Sequence, residues 1–186
     1  MRQLRSLLYA DLKRQYVLEG RPERSPNLIR FLARLLHHRF LPIVICRTAR
    51  AAMLSGVPVL PQILTYANIV LFGIEIAPAC DIGPGLFLPH TSGTVIGAWC
   101  LGKNVTVFQG VTLGAKEADM TFQRELRPEV GDNVVLGAGC KVLGEVKLGA
   151  GVTVGANSVV LESVDSNLVA VGIPARTFVQ ATKRTN

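Results

Sequence analysis

Residues 130–165 read VGDNVV LGAGCK VLGEVK LGAGVT VGANSV VLESVD, which are six consecutive hexapeptides in a single register. Each hexapeptide begins with Val or Leu, and its fifth residue is Val, Cys or Ser. A strict period of six fits neither an α-helix nor an alternating strand that pairs with its sequence neighbour. It is typical of a solenoid in which each hexapeptide forms one short flat face and three faces close a triangular coil. Inward aliphatic side chains then stack into a narrow, continuous core.

A second set of hexapeptides precedes this stretch. Residues 76–93 read IAPACD IGPGLF LPHTSG and, after one extra residue, residues 95–112 read VIGAWC LGKNVT VFQGVT. We expect the Gly, Asn and Asp residues of the repeats at the tight corners of the coil. Between the two sets, the polar segment GAKEADMTFQRELRPE (114–129) breaks the register, so we predict a projecting loop. Loops on rigid scaffolds commonly shape substrate pockets.

The residues before the repeats have helical periodicity. In SPNLIRFLARLLHHRF (25–40) the apolar residues recur at spacings of three and four, which predicts an amphipathic helix. We place Ser25 at its N-cap and Pro26 in its first turn. The overall prediction is a mainly β chain. A small α-helical N-terminal region (1–74) precedes a parallel β-helix of about five coils (75–186), with the 114–129 loop and a C-terminal tail.

Positive charge is concentrated at the N-terminal end of the chain. Residues 1–50 contain eleven Lys and Arg against three acidic residues, so this segment carries the whole net excess of +7. Two interpretations stay open: a surface that attracts phosphate-rich or anionic-membrane partners, or a solvated helix face rich in Arg. We expect no nucleic acid among the partners.

Residues 51–74 contain no charged side chain and are long enough to span a bilayer. Pro58, Pro61, Gln62 and Asn68 interrupt this stretch, so a helix buried against the next domain explains it equally well. The N-terminus lacks the uninterrupted apolar segment of a secretory signal. We expect a cytoplasmic protein, and peripheral contact with the inner membrane face through the basic region is a further interpretation.

Cysteine and histidine usage argues against a metal site. The four cysteines, Cys46, Cys80, Cys100 and Cys140, show no metal-ligand spacing, and we interpret them as buried, reduced thiols. His90 is the single histidine of the repeats, whereas a zinc site of the three-histidine kind needs two more ligands there. We expect no metal.

Three segments closely resemble bacterial serine acetyltransferases and their relatives in polysaccharide gene clusters. They are GIEIAPACDIGPGLFLPHTSGTVIG (73–97), GAGCKVLGEVKLGAGVTVGANSVV (137–160) and VGIPAR (171–176). The resemblance covers residues 73–179 well and the preceding helices loosely. It implies a left-handed parallel β-helix, an acetyltransferase activity with acetyl-CoA as co-substrate, and a homotrimer with each active site between two subunits.

The resemblance assigns His90 as the general base that takes the proton of the acceptor hydroxyl. Imidazole suits this task because its pKa lies near neutrality. The carboxylate that orients the base stands fifteen residues earlier, where this chain has Glu75 in place of Asp. One coil has about eighteen residues, so we predict that the two side chains lie on adjacent coils within hydrogen-bond distance. The alternative is a histidine whose polar groups are merely satisfied at a trimer interface.

The resemblance also implies a groove for the pantetheine arm of acetyl-CoA between neighbouring subunits. Small residues at the matching positions permit close approach of backbone groups. These residues are Gly114, Ala115, Ala138 and Ala156. Arg176, Lys183 and Arg184 are the candidates for binding the nucleotide phosphates. Each small residue taken alone is also explained as a corner of the repeat.

The acceptor site departs from the serine acetyltransferase pattern. Pro89 stands where those enzymes have Asp before the histidine, and Leu126 and Arg127 stand where their loop has Arg-His. The contacts for the ammonium and carboxylate of serine are thus lost or altered, and Arg127 could replace only one of them. A neutral saccharide makes no such demand, and Gln123 or Thr121 would suffice to orient it.

We therefore predict an O-acetyltransferase that acts on a small-molecule or lipid-linked saccharide or polysaccharide precursor, with backbone amides near Gly114 stabilising the oxyanion. Two alternatives stay open. One is a serine O-acetyltransferase of cysteine biosynthesis. The other is a non-catalytic β-helix that binds a partner through the C-terminal tail QATKRTN (180–186).

Overall fold

The structure is a computed structural model that describes residues 2–119 and 121–179. Within these ranges, helices occupy the chain up to Phe72 and strands follow from Ile74. The helices are α1 (Arg2–Leu18), α2 (Leu28–Leu35), α3 (Leu41–Leu54) and α4 (Leu60–Phe72). The prediction of helices before the repeats is confirmed.

The start of α2 differs from the prediction. Asn27 is the N-cap, because its backbone is extended and its side chain accepts a hydrogen bond from the Arg30 N–H. Ser25 and Pro26 precede the helix, so the placement of Ser25 at the cap is wrong. Asn and Ser cap helices about equally well, so the sequence does not distinguish two such residues this close together.

Short strands follow one another along the rest of the chain. They are β1 (Ile74–Ile76), β2 (Asp81–Ile82), β3 (Thr94–Ile96), β4 (Cys100–Leu101), β5 (Thr106–Val107), β6 (Thr112–Gly114), β7 (Glu129–Val130), β8 (Val135–Leu136), β9 (Lys141–Leu143), β10 (Lys147–Leu148), β11 (Thr153–Val154), β12 (Val159–Val160), β13 (Leu168–Gly172) and β14 (Ala175–Val179). A 3-10 turn at Arg124–Leu126 lies in the loop between β6 and β7.

The strands form three sheets that the chain visits in rotation. Sheet A has the order β1-β3-β6-β9-β12, sheet B the order β2-β4-β7-β10, and sheet C the order β5-β8-β11-β13-β14. Neighbouring strands are parallel except in the terminal hairpin of β13 and β14. The prediction of a mainly β chain with parallel sheets is confirmed. The left-handed sense and the number of coils stay predictions.

The hexapeptide pattern predicts the core of the coil. Each leading residue of the hexapeptides in 130–165 is at most 3% exposed, and each fifth residue at most 4%. Asparagines at corners adopt the left-handed backbone conformation that this residue tolerates. They are Asn104, Asn133, Asn157 and Asn167. The predicted corner role of Asn is therefore observed.

The predicted register is wrong by one residue in β3. The repeat pattern predicts Val95 as an inward residue, yet Thr94 and Ile96 are buried and Val95 is only half-buried. Val95 pairs with Glu75 of β1 and with Thr112 of β6. Because side chains alternate along a strand, these three residues share the outer face of sheet A. The turn that carries His90 therefore takes two extra residues rather than one.

A buried ion pair joins the helices to the coil. The Asp11 carboxylate of α1 accepts hydrogen bonds from the Arg47 guanidinium of α3 at 3.0 and 3.1 Å. It also accepts from the backbone N–H groups of Gly85 and Leu86 at 2.8 and 2.9 Å. Arg47 in turn donates to two carbonyl groups of the coil. One side-chain pair thus connects α1, α3 and the first coil.

The uncharged stretch 51–74 does not form one continuous helix. It is divided between the end of α3 and the whole of α4, with residues 55–59 between them. In the part of the chain that the structure describes, no helix has both the length and the apolar character needed to cross a bilayer.

The cysteines only partly follow the prediction. Cys46, Cys80 and Cys140 are buried free thiols, and burial raises the pKa of Cys46 and of Cys140 to about 12. Cys100 is half-buried, since it occupies the outward position of β4 beside the inward Leu101. The prediction of burial is therefore wrong for Cys100.

Candidate active site

His90 lies in the turn that enters sheet A before β3. Its side chain is exposed, whereas the preceding Pro89 is buried. The turn is anchored on both sides of the histidine. The Thr91 hydroxyl donates to the Phe72 carbonyl at the end of α4 at 2.8 Å, and Arg39 Nε donates to the Pro89 carbonyl at 3.2 Å. The helical region therefore holds the backbone of His90 while its imidazole stays accessible.

Glu75 does not orient His90 in this structure. It occupies the middle of β1 on the outer face of sheet A, and its side chain is exposed. Within the described residues, no hydrogen bond joins Glu75 to His90, which corrects the expected contact. Glu75 takes the outward position of β1 between the buried Ile74 and Ile76, and none of the described residues forms a hydrogen bond or salt bridge with its carboxylate. A role for Glu75 in catalysis stays a prediction.

The turn of His90 stacks on the equivalent turns of later coils. Backbone hydrogen bonds of 2.8 to 3.0 Å join these turns, linking Ser92 to Gly110, Gln109 to Gly139, and Ala138 to Asn157. We call this column, residues 88–93, 108–110, 137–139 and 155–157, the histidine corner. It places His90, Ala138 and Ala156 along one edge of the coil.

Gly114 and Ala115 lie at the opposite end of sheet A. We call residues 97–99, 114–115 and 144 the loop corner, in which the Gly144 N–H donates to the Gly114 carbonyl at 2.9 Å. A Cβ added to Gly114 would meet no atom of residues 2–119 and 121–179 within 4 Å, so this part of the chain leaves space open beside it. A three-residue strand, about 10 Å long, separates the two corners. One chain therefore does not bring the four predicted small residues to one groove.

The predicted phosphate ligands lie at the C-terminal end. Arg176 is exposed on β14, where it pairs with Val171 of β13. Lys183 and Arg184 lie outside the described residues, as does the tail 180–186. Their roles stay predictions.

Asp119 organises the loop between β6 and β7, although it was not among the residues predicted for the site. Its carboxylate accepts from the N–H and hydroxyl of Thr121, the N–H of Gln123 and the guanidinium of Arg127 at 2.8 to 3.0 Å. These hydrogen bonds, with that of the Thr121 hydroxyl first, hold the pKa of Asp119 well below its ordinary value. The spacing Asp-x-Thr could have indicated this turn, because Asp often accepts from the backbone two residues on.

Arg127 has its donors engaged within the chain. Its guanidinium pairs with Asp119 at 2.8 Å, donates to the Gly97 carbonyl at 2.8 Å and lies 4.0 Å from the centre of the Phe122 ring. Contact between Arg127 and an acceptor, as predicted, would require these interactions to break. Gln123 and Thr121, the two residues predicted to orient a saccharide, are both exposed. The Gln123 side chain donates to the Thr121 hydroxyl at 2.9 Å.

The loop lines a groove of about 760 Å³ together with α4 and the first coil. Phe122 is the loop residue in this groove, and the other lining residues come from Met53 at the end of α3, from residues 56–59, from α4 and from residues 77–79. His90 is not among the lining residues. The loop thus shapes a groove, as predicted, but this groove lies apart from the candidate base.

Histidines do not cluster with other potential metal ligands. His37 and His38 stack on each other in the turn after α2, with ring centres 4.7 Å apart. Among residues 2–119 and 121–179, no three His, Cys, Asp or Glu side chains lie together as a metal ion would require.

Sequence comparisons place the chain among known transferases. The profile of the bacterial transferase hexapeptide family (six repeats) matches residues 127–162. A serine acetyltransferase of Staphylococcus xylosus is 44% identical over 127 residues, which make up 68% of this chain and 57% of that relative. The chain spans about half the length of the curated relatives it matches.

Solved structures of serine acetyltransferases share the fold over nearly the whole chain. The enzyme of Neisseria gonorrhoeae has a TM-score of 0.82 and 32% identity, covering 98% of this chain and 67% of that one. Its complex with serine has a TM-score of 0.78 and 32% identity, covering 95% and 69%. A serine acetyltransferase in complex with CoA has a TM-score of 0.79 and 28% identity, covering 94% and 69%.

All of these relatives are serine acetyltransferases, so the predicted closeness to polysaccharide-cluster O-acetyltransferases has no support from them. Three observations indicate the same family: the hexapeptide profile, the three parallel sheets, and the likeness over two thirds of a solved relative. The chain belongs to the hexapeptide-repeat transferase family that includes the serine acetyltransferases.

Proposed function

We propose that the chain is an acetyl-CoA-dependent serine O-acetyltransferase. The observation that carries this proposal is the likeness, over 95% of the chain, to an enzyme whose structure was solved with serine. A second relative of similar coverage was solved with CoA. Serine, the alternative acceptor, therefore has better support than the saccharide.

The proposed reaction uses His90 as the general base. His90 accepts the proton of the serine hydroxyl while the hydroxyl oxygen attacks the carbonyl carbon of the thioester. The carbon–sulfur bond then breaks, and His90 returns the proton to the departing sulfur. O-acetylserine and CoA are the products. Backbone amides near Gly114 are the candidates for stabilising the developing oxyanion.

The open space beside Gly114 supports a donor groove at the loop corner. A ligand that passes there can approach the backbone of Gly114 and Ala115, because none of the described side chains fills the space beside Gly114. Ala138 and Ala156 would line the same groove from the histidine corner of a second copy of the chain. Arg176 is exposed and accessible to a nucleotide phosphate.

We infer that the site is shared between copies in a homotrimer. His90 and the loop lie on opposite corners of sheet A, so a second copy is needed to bring a loop corner against a histidine corner. The surface of α4 supports such an assembly, because this helix has no charged residue and leaves large apolar side chains exposed. Those side chains are Leu60, Ile63, Tyr66, Ile69, Val70 and Leu71.

We predict that the chain sediments at three times its mass of 20.0 kDa. Analytical ultracentrifugation across a range of protein concentrations measures this mass directly. Ile63→Glu places a charge on the apolar surface of α4 and is expected to shift the distribution toward monomer and reduce acetyl transfer. A stable monomer that retains full activity would contradict the shared site.

A saccharide acceptor is the second candidate, and specific residues favour it. Pro89 is uncharged, Leu126 carries no cation, and Arg127 is already paired with Asp119. Serine would bring an ammonium and a carboxylate, and burying a charge without a partner costs several kcal/mol. A neutral polyol avoids this cost.

A CoA-release assay with a panel of acceptors tests the proposal. We expect L-serine to accelerate thioester cleavage in a saturable manner, with a KM in the usual range of about 1 μM to 1 mM. Neutral hexoses at the same concentrations are the matched comparison. Faster release with a hexose than with L-serine would favour the second candidate. No release with any acceptor would favour a non-catalytic protein.

A further inference from the structure

We propose that Arg39 binds the carboxylate of the acceptor beside His90. This inference rests on the proposed acetylation of serine. It assigns to the turn between α2 and α3 the positive charge that the resemblance places at Leu126. Arg39 then determines which acceptor binds, whereas His90 performs the proton transfer.

The guanidinium of Arg39 is fixed next to the candidate base. Its Nε donates to the Pro89 carbonyl at 3.2 Å, and that carbonyl group is bonded directly to the backbone nitrogen of His90. The backbone of Arg39 is also held, since its carbonyl accepts from the side chain of Gln15 at 3.1 Å. Gln15 is 1% exposed, so this anchor is part of the packed interior.

The charge of Arg39 is available to a ligand. Arg47, Arg50, Arg124 and Arg127 each pair with a carboxylate. Within the described ranges, Arg39 pairs with no carboxylate, and neither of its two terminal nitrogens donates a hydrogen bond to the protein. Those nitrogens present the planar geometry that binds a carboxylate through two parallel hydrogen bonds.

Arg39 is not needed merely to fasten the helices to the coil. The helices are already fastened to the first coil by the buried pair of Asp11 and Arg47 and by hydrogen bonds from Arg50 to the carbonyls of Pro78 and Ala79. Arg39 is only partly buried and contacts the one turn that carries the candidate base. A cation at this position compensates the carboxylate of serine and so reconciles the serine-type relatives with Leu126.

The test compares acceptors with and without a carboxylate. Kinetics of CoA release are measured with L-serine and with L-serinamide, whose neutral amide replaces the carboxylate. Arg39→Gln is expected to raise the KM for L-serine by about 10- to 100-fold, the usual effect of losing a hydrogen bond to a charged group. The KM for L-serinamide is expected to change less than about threefold. Arg39→Lys should recover part of the loss, because Lys provides a charge without the bidentate geometry.

Arg30→Gln is the matched control, because Arg30 also donates to a backbone carbonyl, that of Ser25 at 2.8 Å, and lies on the neighbouring helix. It is expected to leave both KM values unchanged. An equal loss for the two acceptors in Arg39→Gln, or no loss for either, would overturn the role of Arg39 while leaving the proposed function in place.

Direct binding keeps the inference testable if no acceptor supports CoA release. Calorimetric titration of wild type and Arg39→Gln with L-serine and L-serinamide requires no turnover. We expect wild type to bind L-serine at least about tenfold more tightly than L-serinamide, and Arg39→Gln to lose this preference. Wild type without the preference, or a variant that keeps it, would overturn the inference.

Discussion

Replacement of His90 with alanine is expected to lower the turnover of acetyl transfer by about 10²- to 10⁴-fold, the usual contribution of a general base. Without the imidazole, the acceptor hydroxyl must lose its proton to water as it attacks. CoA binding is expected to stay nearly unchanged, because the truncation alters one exposed side chain and leaves the turn intact. The measurement is the rate of CoA release at saturating acceptor, with CoA binding followed by calorimetry.

Two variants serve as comparisons for His90→Ala. His38→Ala removes another exposed imidazole, in the helical region, and is expected to leave turnover unchanged. Glu75→Gln retains the base and removes only a carboxylate, so we expect a smaller loss than for His90→Ala. Full transferase activity in His90→Ala, or an equal loss in His38→Ala, would contradict the assignment of the base.

Asp11→Asn is expected to lower the free energy of unfolding by about 3–5 kcal/mol, the usual cost of breaking a buried ion pair. Asp11 is 0% exposed and Arg47 is 3% exposed, so the substitution leaves a guanidinium charge buried without a counter-charge. The backbone N–H groups of Gly85 and Leu86 both donate to Oδ1, so the amide oxygen of Asn can take that place, but its NH2 group then faces the Nε–H donor of Arg47. Urea denaturation measures the loss at one fixed protein concentration, because assembly would otherwise shift the transition.

Glu19→Gln is the matched control for Asp11→Asn. It makes the same carboxylate-to-amide change in the pair of Arg34 and Glu19, whose side chains are 16% and 25% exposed. Pairs of this accessible kind contribute about 0–1 kcal/mol. If Asp11→Asn cost no more than Glu19→Gln, the buried pair would not be what fastens the helices to the coil.

The hexapeptide pattern predicts the core because every face of the coil is six residues long. A residue that points inward on one face is therefore followed six residues later by another inward residue. Every leading and fifth residue in 130–165 is buried accordingly. The pattern fails at Val95, where the turn after His90 lengthens the repeat. The face that a strand buries depends on its pairing, and a shift of one residue exchanges the two faces.

Contacts between distant segments carry no comparable signal in the sequence. The hydrogen bond from Leu86 to Asp11 spans 75 residues, and that from Arg39 to Pro89 spans 50. Residues 1–50 contain eleven basic side chains, and nothing in the local sequence separates Arg39 or Arg47 from the others. Only packing of the helices against the first coil makes these two different.

Of the candidate site, the base was predictable from the sequence, whereas the contacts of the loop residues were not. His90 is the single histidine of the repeats, where the pattern calls for no imidazole, so the sequence alone indicates a special role. The salt bridge between Arg127 and Asp119 depends on the conformation of the 114–129 loop, whose sequence has no repeat. The sequence therefore predicts the base better than it predicts the residues that select the acceptor.

The central claim is that this chain transfers acetyl from acetyl-CoA to L-serine with His90 as the base. A competition assay tests it most directly: L-serine and a mixture of neutral hexoses, at equal concentration, share one reaction with acetyl-labelled acetyl-CoA, and mass spectrometry identifies the labelled product. We predict that wild type places the label in O-acetyl-L-serine and that His90→Ala forms at least about 10²-fold less of it. Label found mainly in a hexose ester, or the same yield of O-acetyl-L-serine from His90→Ala, would contradict the claim.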